Sequence, residues 1–475
     1  TILNLSDKKI FYLKRKIAKQ KPWEPIIVSE NLTWSEFSRI NLFLHELPGV
    51  EPIVSVARLY PNKSTAHLVG YVSQVSQKDL QKKQYLKDMS VGIAVGKTGL
   101  ENKLDENIIG KVGFQRYEVN AYGKRIKQIQ VDTGEAGKNY RTTIDLEVQK
   151  YTSEVLEDKA ASVCVMDIYN GDIITMASSP SYDPNSFVHG IDKKYWNELI
   201  SNEKKPLNNK AIAGLYPPGS TIKIIVALSA LENDIWNPKK YVNCSGVTEL
   251  YGEKFHCWKK KGHGFMNLRS GMKRSCDVYF YQLGLQIDMD PTNNVARMFG
   301  LEKKTGIDLP IEKHGILIDS VTYNRRNKRL GWRWTRGQIL HLSIGQGQLV
   351  TPLQMANAFA GLGNGYKLFK PRLIKAIIGA DGRVESYSKP EVLNKLNLTD
   401  SMRTMVNSAL DAVVNDPGGT GRRARIKGVR VGGKTGSAEN PHGELTHAWF
   451  GAVAPLENPE IAIALVVENA GHGGS

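Results

Sequence analysis

The sequence predicts a layered α/β domain, one sheet covered by helices, preceded by a smaller mixed domain without chemistry of its own. Strand-like runs cluster at both ends of the larger part: "ASVCVMDIYNGDIITMASSP" (Ala161–Pro180) at one end, and "VRVGGKTGSA", "HAWFGAVAP" and "IAIALVV" at the other. A mostly helical middle separates them, so strands far apart in sequence must share one sheet around a helical insert. Composition allows it: 475 residues, 41% hydrophobic and 23% charged, can bury a full core and fill more than one domain.

The first part, residues 1–138, mixes the amphipathic helix "SEFSRINLFLHEL" (Ser35–Leu47) with the strand-like runs "GVEPIVSVARLY" (Gly49–Tyr60) and "YEVNAYGKRIKQIQV" (Tyr117–Val131). The second part, residues 139–475, opens with "NYRTTIDLEVQKYTSEVLEDK", read as a strand and then a long helix. The strand pair that follows turns at Asn170–Gly171. No internal repeat interrupts the pattern.

A net charge of +17 suits an anionic partner or a generally basic surface. No aromatic-basic RNA motif or zinc-finger helix accompanies it, which excludes nucleic acid as the leading reading. No run approaches the roughly 20 apolar residues that span a bilayer, and "IAIALVV" (Ile461–Val467) reads as a buried strand. The four cysteines, Cys164, Cys244, Cys257 and Cys276, are too few for a disulfide-built scaffold.

Chemistry concentrates in three places. In "YPPGSTIKIIVALSAL" (Tyr216–Leu231), Ser220 precedes an apolar helical run and Lys223 follows one turn later. Ser220 is a good N-cap; it is also a good nucleophile, because a desolvated Lys223 could take its proton and the helix start offers N–H groups to an oxyanion. In "KRSCDVYFYQLG", Ser275 and Asp277 interrupt a helical stretch. In "GGKTGSAE", Lys434, Thr435, Gly436 and Ser437 lie on a strand-like run.

Gly428–Thr435 also fits the phosphate-cradling G-x-x-x-x-G-K-T pattern, with Asp167 ending an apolar strand in the manner of a magnesium ligand. Such a loop must open a helix, whereas Gly436, Asn440, Pro441 and Gly443 follow and oppose one. A second "KTG" at Lys97–Gly99 reads as a turn before a helix.

Taken in order, Ser220-x-x-Lys223, Ser275-x-Asp277 and Lys434-Thr435-Gly436 form the S-x-x-K, S-x-N-like and K-T-G set of penicillin-interacting serine enzymes. With "SSPSYDPNSF", "WKKKGHGFMNL", "SIGQGQLVTPLQMANAFA" and "VVENAGHGGS", the sequence resembles the class B penicillin-binding proteins, in particular the subfamily serving cell elongation. Asp277 stands where the commoner motif has asparagine. The resemblance implies the penicillin-binding transpeptidase fold, a central antiparallel sheet covered by helices with a helical subdomain, on an N-terminal pedestal. It also implies a single membrane anchor ahead of Thr1, a C-terminal helix beyond Ser475, and a catalytic domain in the periplasm.

The implied activity is D,D-transpeptidation of peptidoglycan stem peptides ending in D-Ala-D-Ala, with β-lactam antibiotics as inhibitors. Ser220 would attack, Lys223 act as base, and Ser275 and Lys434 relay protons. Asp277 would complete the second motif. Thr435 and Ser437, with Gly436 between them, would hold the terminal carboxylate. A serine β-lactamase or a non-catalytic β-lactam sensor would share these motifs, although no glutamate loop for deacylation is evident. Implied partners are a membrane glycan polymerase of the SEDS type and rod-shape scaffold proteins.

Cys244, Cys257, His263 and Cys276 follow the spacing C-x12-C-x5-H-x12-C. Three thiolates and an imidazole suit a structural zinc site. Buried free thiols, or a Cys244–Cys257 disulfide, are the alternatives. Relatives implied to carry a metal at matching positions favour zinc.

Overall fold

The computed structural model describes the chain apart from residues 1–2, 4, 20–25, 31, 54–56, 87–93, 112, 121–124, 441–444 and 475. Its centre is a five-stranded antiparallel sheet in the order Gly432–Ala438, His447–Ala454, Ile461–Val467, Ala161–Asp167 and Ile173–Ser179. The last two strands form the hairpin read from the sequence, and Gly171 turns it at φ +78°. Three strands from the end of the chain thus lie beside two from the start of the domain.

Alternation along each strand sends one set of side chains inward. Trp449, Val466, Cys164 and Met176 face the helices and are nearly inaccessible. Against that face packs the helix Pro352–Gly363, buried along its whole length, while the helix Lys223–Glu232, buried from Lys223 through Leu231, packs against the helices Asp277–Ile287 and Met289–Met298. Burying each large apolar side chain contributes roughly 1.5–3 kcal/mol, which fixes these two helices as the rigid floor of the domain.

One expected strand is realised in a separate sheet, and one expectation fails. Asn139–Thr142 is a strand, but it pairs with Ile374–Ile378 in a separate three-stranded sheet, so the main sheet begins only at Ala161. Gly49–Tyr60 forms no strand where it is described, and Val54–Val56 lie outside the described residues. Pro52 removes a ladder donor there, and most of the described stretch is exposed, so neither pairing nor burial favours extension.

The pedestal otherwise follows its pattern, with a helix over Trp34–Leu42 and a hairpin of Phe114–Val119 with Arg125–Asp132. It is bolted to the catalytic domain by the stretch Tyr182–Phe187. Asn185 exchanges hydrogen bonds with the Tyr60 backbone at 2.9 and 2.8 Å, the Tyr182 hydroxyl donates to Ala66 O at 3.1 Å, and Phe187 stacks on Tyr71. Among the described residues, no helix is long and apolar enough to cross a membrane.

Candidate active site

Ser220 sits on a 3-10 turn, Gly219–Ile222, that runs directly into the helix Lys223–Glu232. Its side chain caps nothing, since neither the turn nor the helix has a side-chain cap, and the residue is partly open to solvent. The capping role the sequence allowed is therefore not used, and the hydroxyl is left free to react.

The turn is pinned from several sides. Trp449 Nε1 donates to Pro217 O at 2.9 Å, Thr221 Oγ1 to Pro218 O at 2.6 Å, and Gly219 N to Gly345 O at 3.1 Å. Gly219 has φ +52°, and a Cβ there would lie 2.6 Å from Ser437 O. Only glycine lets the serine turn and the edge strand Gly432–Ala438 approach this closely.

Lys223, wholly buried, donates to Asp277 Oδ1 at 2.7 Å, to Ser275 O at 3.0 Å and to Ser275 Oγ at 3.4 Å. The sequence foresaw its desolvation but not its ion pair with Asp277. Lys434, equally buried on the edge strand, donates to Ser275 Oγ at 3.0 Å and to Thr435 O at 2.7 Å. Burial, reinforced by the charge of Lys223, holds the Lys434 amine well below the usual lysine range. The second motif therefore lies between two lysines, with the Ser275 hydroxyl within reach of both.

Ser275 itself has φ +51°, in the left-handed region, at the break between the helices Leu268–Lys273 and Asp277–Ile287. This conformation costs a serine on the order of 1–2 kcal/mol, and the surrounding bonds must hold it. Trp258, to which the sequence gave no role, supplies some of them: its backbone N–H donates to Asp277 Oδ2 at 2.9 Å and its indole to Ser275 O at 3.1 Å.

The residues expected from the sequence to hold the carboxylate lie along the edge strand. Thr435 Oγ1 is 2.7 Å from Thr420 Oγ1, and Ser437 Oγ accepts from Gly473 N at 3.1 Å. Gln346 bridges to this strand from the facing loop, accepting from Glu439 N at 3.1 Å. Neither Thr420 nor Gln346 could be singled out beforehand, because each lies in a glycine-rich loop whose path only the fold defines. The phosphate-loop reading fails, since Lys434 and Thr435 are mid-strand and, among the described residues, no helix follows Ala438; Pro441 and Gly443, two of the four residues the sequence set against it, lie outside the described residues. Lys97–Gly99 is indeed a turn, between the strand Ala94–Gly96 and the helix Gly99–Lys103.

Beside the second motif, Cys244, Cys257, His263 and Cys276 are all buried, with their donor atoms within 4.8 Å of one another. His263 Nδ1 lies 3.7 Å from Cys244 Sγ and 3.5 Å from Cys257 Sγ. All four cysteines are free thiols, so the disulfide alternative is not realised here. The Cys276 thiol donates toward Cys257, which pulls the Cys257 pKa far down and keeps the proton on Cys276. Metal bonds of about 2.0–2.3 Å place tetrahedral donors roughly 3.3–3.8 Å apart, so the donor set and the two His263 distances fit one zinc ion.

Comparison with known proteins agrees with the fold. Residues 161–475 match the penicillin binding protein transpeptidase domain family, and residues 1–142 match the penicillin-binding protein dimerisation domain family. The chain is 32% identical to the peptidoglycan D,D-transpeptidase MrdA of Acinetobacter baumannii, covering 100% of this chain and 72% of that protein. It is similar to PBP2 of Helicobacter pylori solved in complex with MreC, with a TM-score of 0.83 and 29% identity over 99% of this chain and 90% of the other. It is also similar to a chain solved in work on the structural coordination of polymerization and crosslinking by a peptidoglycan synthase complex. There the TM-score is 0.78 at 26% identity, over 98% of this chain and 82% of the other.

Proposed function

The chain belongs to the penicillin-binding protein transpeptidase family and is a peptidoglycan D,D-transpeptidase, and on that premise we propose that Ser220 is its nucleophile. Ser220 Oγ attacks the carbonyl between the two terminal D-alanines of a donor stem peptide. Its proton passes to Lys223, which must enter this step as the neutral amine, and the oxyanion is met by the backbone N–H groups of Ser220 and Ser437, worth roughly 3 kcal/mol each. As the tetrahedral intermediate collapses, the C–N bond breaks and the departing D-alanine takes a proton relayed through Ser275 and Lys434. An amine of a neighbouring stem then attacks the ester, loses a proton to the same relay, and frees Ser220.

The observation that carries this reading is Ser275 Oγ, 3.4 Å from Lys223 Nζ and 3.0 Å from Lys434 Nζ. Both amines are buried, and one hydroxyl joins them. A relay needs this connection and a structural ion pair does not. Thr435 and Ser437 hold the terminal carboxylate in this scheme, each exchanging its present partner for substrate. The test is a donor pentapeptide assay: the parent protein releases D-alanine and forms cross-linked product, and Ser220→Ala does neither. Turnover of penicillin within seconds would instead favour a β-lactamase.

We assign zinc to Cys244, Cys257, His263 and Cys276, on the strength of four converging buried donors. When bound, zinc ties the loop carrying Cys257 and His263 to the turn carrying Cys276, without touching the reacting atoms. About one zinc per chain by elemental analysis, lost in Cys257→Ser together with thermal stability, is the expected result. Metal-free parent protein of unchanged stability would remove the assignment.

We propose that the protein acts where peptidoglycan is, in the periplasm at the inner membrane. We infer that a rod-shape scaffold protein and a glycan polymerase are partners. The Helicobacter pylori complex with MreC and the synthase-complex likeness support that inference.

A further inference from the structure

We propose that Trp258 is a positioning residue for acylation, holding Ser275 in the left-handed conformation that aims its hydroxyl at both lysines; this rests on the Ser220 reading above. Trp258 grips the second motif twice. Its backbone N–H donates to Asp277 Oδ2 at 2.9 Å, leaving Oδ1 to Lys223 at 2.7 Å. Its indole N–H donates to Ser275 O at 3.1 Å and to Arg274 O at 3.2 Å.

The Ser275 carbonyl therefore has two donors, Lys223 Nζ at 3.0 Å and the indole. One of them must shift its charge and proton during the reaction. The other is a neutral N–H that titrates nowhere near physiological pH. With the indole removed, the carbonyl depends on Lys223 alone, the group whose bonds change at each proton transfer. Relaxation of Ser275 from φ +51° toward the right-handed region would then swing Oγ out of line with Lys434.

Two further features separate this role from packing. The residue is 56% exposed, so its ring adds little to the core. It also follows Cys257 directly and meets His263 edge-on, ring centroids 5.2 Å apart. Trp258 is thus a second link, beside the peptide bond from Cys276, between the thiol–imidazole cluster and the Ser275 backbone.

Stopped-flow acylation by a fluorescent penicillin tests the proposal, because it separates the pre-covalent dissociation constant from the acylation rate constant. Trp258→Phe keeps an aromatic ring and the backbone N–H but loses the indole donor along with the pyrrole ring that carries it. Its acylation rate constant should fall about tenfold, with the dissociation constant within twofold of the parent and with melting temperature and zinc content unchanged. Trp258→His, which retains a ring N–H, should recover part of the rate. An acylation rate constant within twofold of the parent in Trp258→Phe overturns the proposal. So does a loss of rate that comes with loss of zinc or of thermal stability. A parent protein that fails to acylate would overturn the Ser220 reading first, and is recognised without any variant.

Discussion

At the scale of single residues, the site depends on groups held where they are costly. Lys223 and Lys434 are removed from water, and Ser275 is held at a positive φ. The two costs can be separated experimentally. Ser275→Ala and Ser275→Gly both delete the bridging hydroxyl, so both should lower acylation by roughly 10²–10⁴-fold, the range of a lost acid–base group. Glycine relieves the left-handed strain and alanine does not, so Ser275→Gly should be the more stable by about 1 kcal/mol in urea unfolding. Equal stability of the two variants would show that the backbone there is not strained. The three motif triplets were legible in the sequence because each carries its chemistry at short spacing. The Lys223–Asp277 ion pair was not, since a separation of 54 residues leaves no local trace.

At the scale of elements, the serine turn and the edge strand make the cleft by close approach. Gly219→Ala would drive a Cβ to 2.6 Å from Ser437 O in a backbone conformation alanine avoids. The variant should lose about 1–3 kcal/mol of stability and acylate more slowly still, as the turn backs away from the strand. Acylation at the parental rate would mean that the contact is dispensable. The sheet's strands were readable from alternation and from apolar runs, but the partner of Asn139–Thr142 was not. Its pairing residues, Ile374–Ile378, lie more than 200 positions away, and its pattern resembles that of any short edge strand. In the same way, "SYDPNSF" marked the family without disclosing its use, which is to seat the pedestal through Tyr182, Asn185 and Phe187.

At the scale of the whole molecule, pedestal and catalytic domain meet through buried polar contacts that respond to acid. His67 Nε2 lies 2.7 Å from Pro206 O, and burial pulls its pKa down to about 4. The unfolded histidine takes its proton near 6.5, so below that pH the unfolded chain binds more protons than the folded one. Stability conferred by neutral His67 is complete above about pH 6.5 and is lost as pH falls to about 4, a difference of about 3 kcal/mol. Thermal melts should show this acid loss in the parent and a shallower one in His67→Gln; identical pH profiles would remove His67 from the account.

The central claim is that Ser220 forms the acyl-enzyme, and peptide-mapping mass spectrometry after brief exposure to penicillin tests it most directly. One adduct, with the mass of the intact antibiotic and located on the peptide containing Ser220, is the predicted result. It should persist for many minutes because a cross-linking enzyme must keep water from the ester until the acceptor amine arrives. An adduct on any other residue, or an unmodified protein with consumed antibiotic, would contradict it.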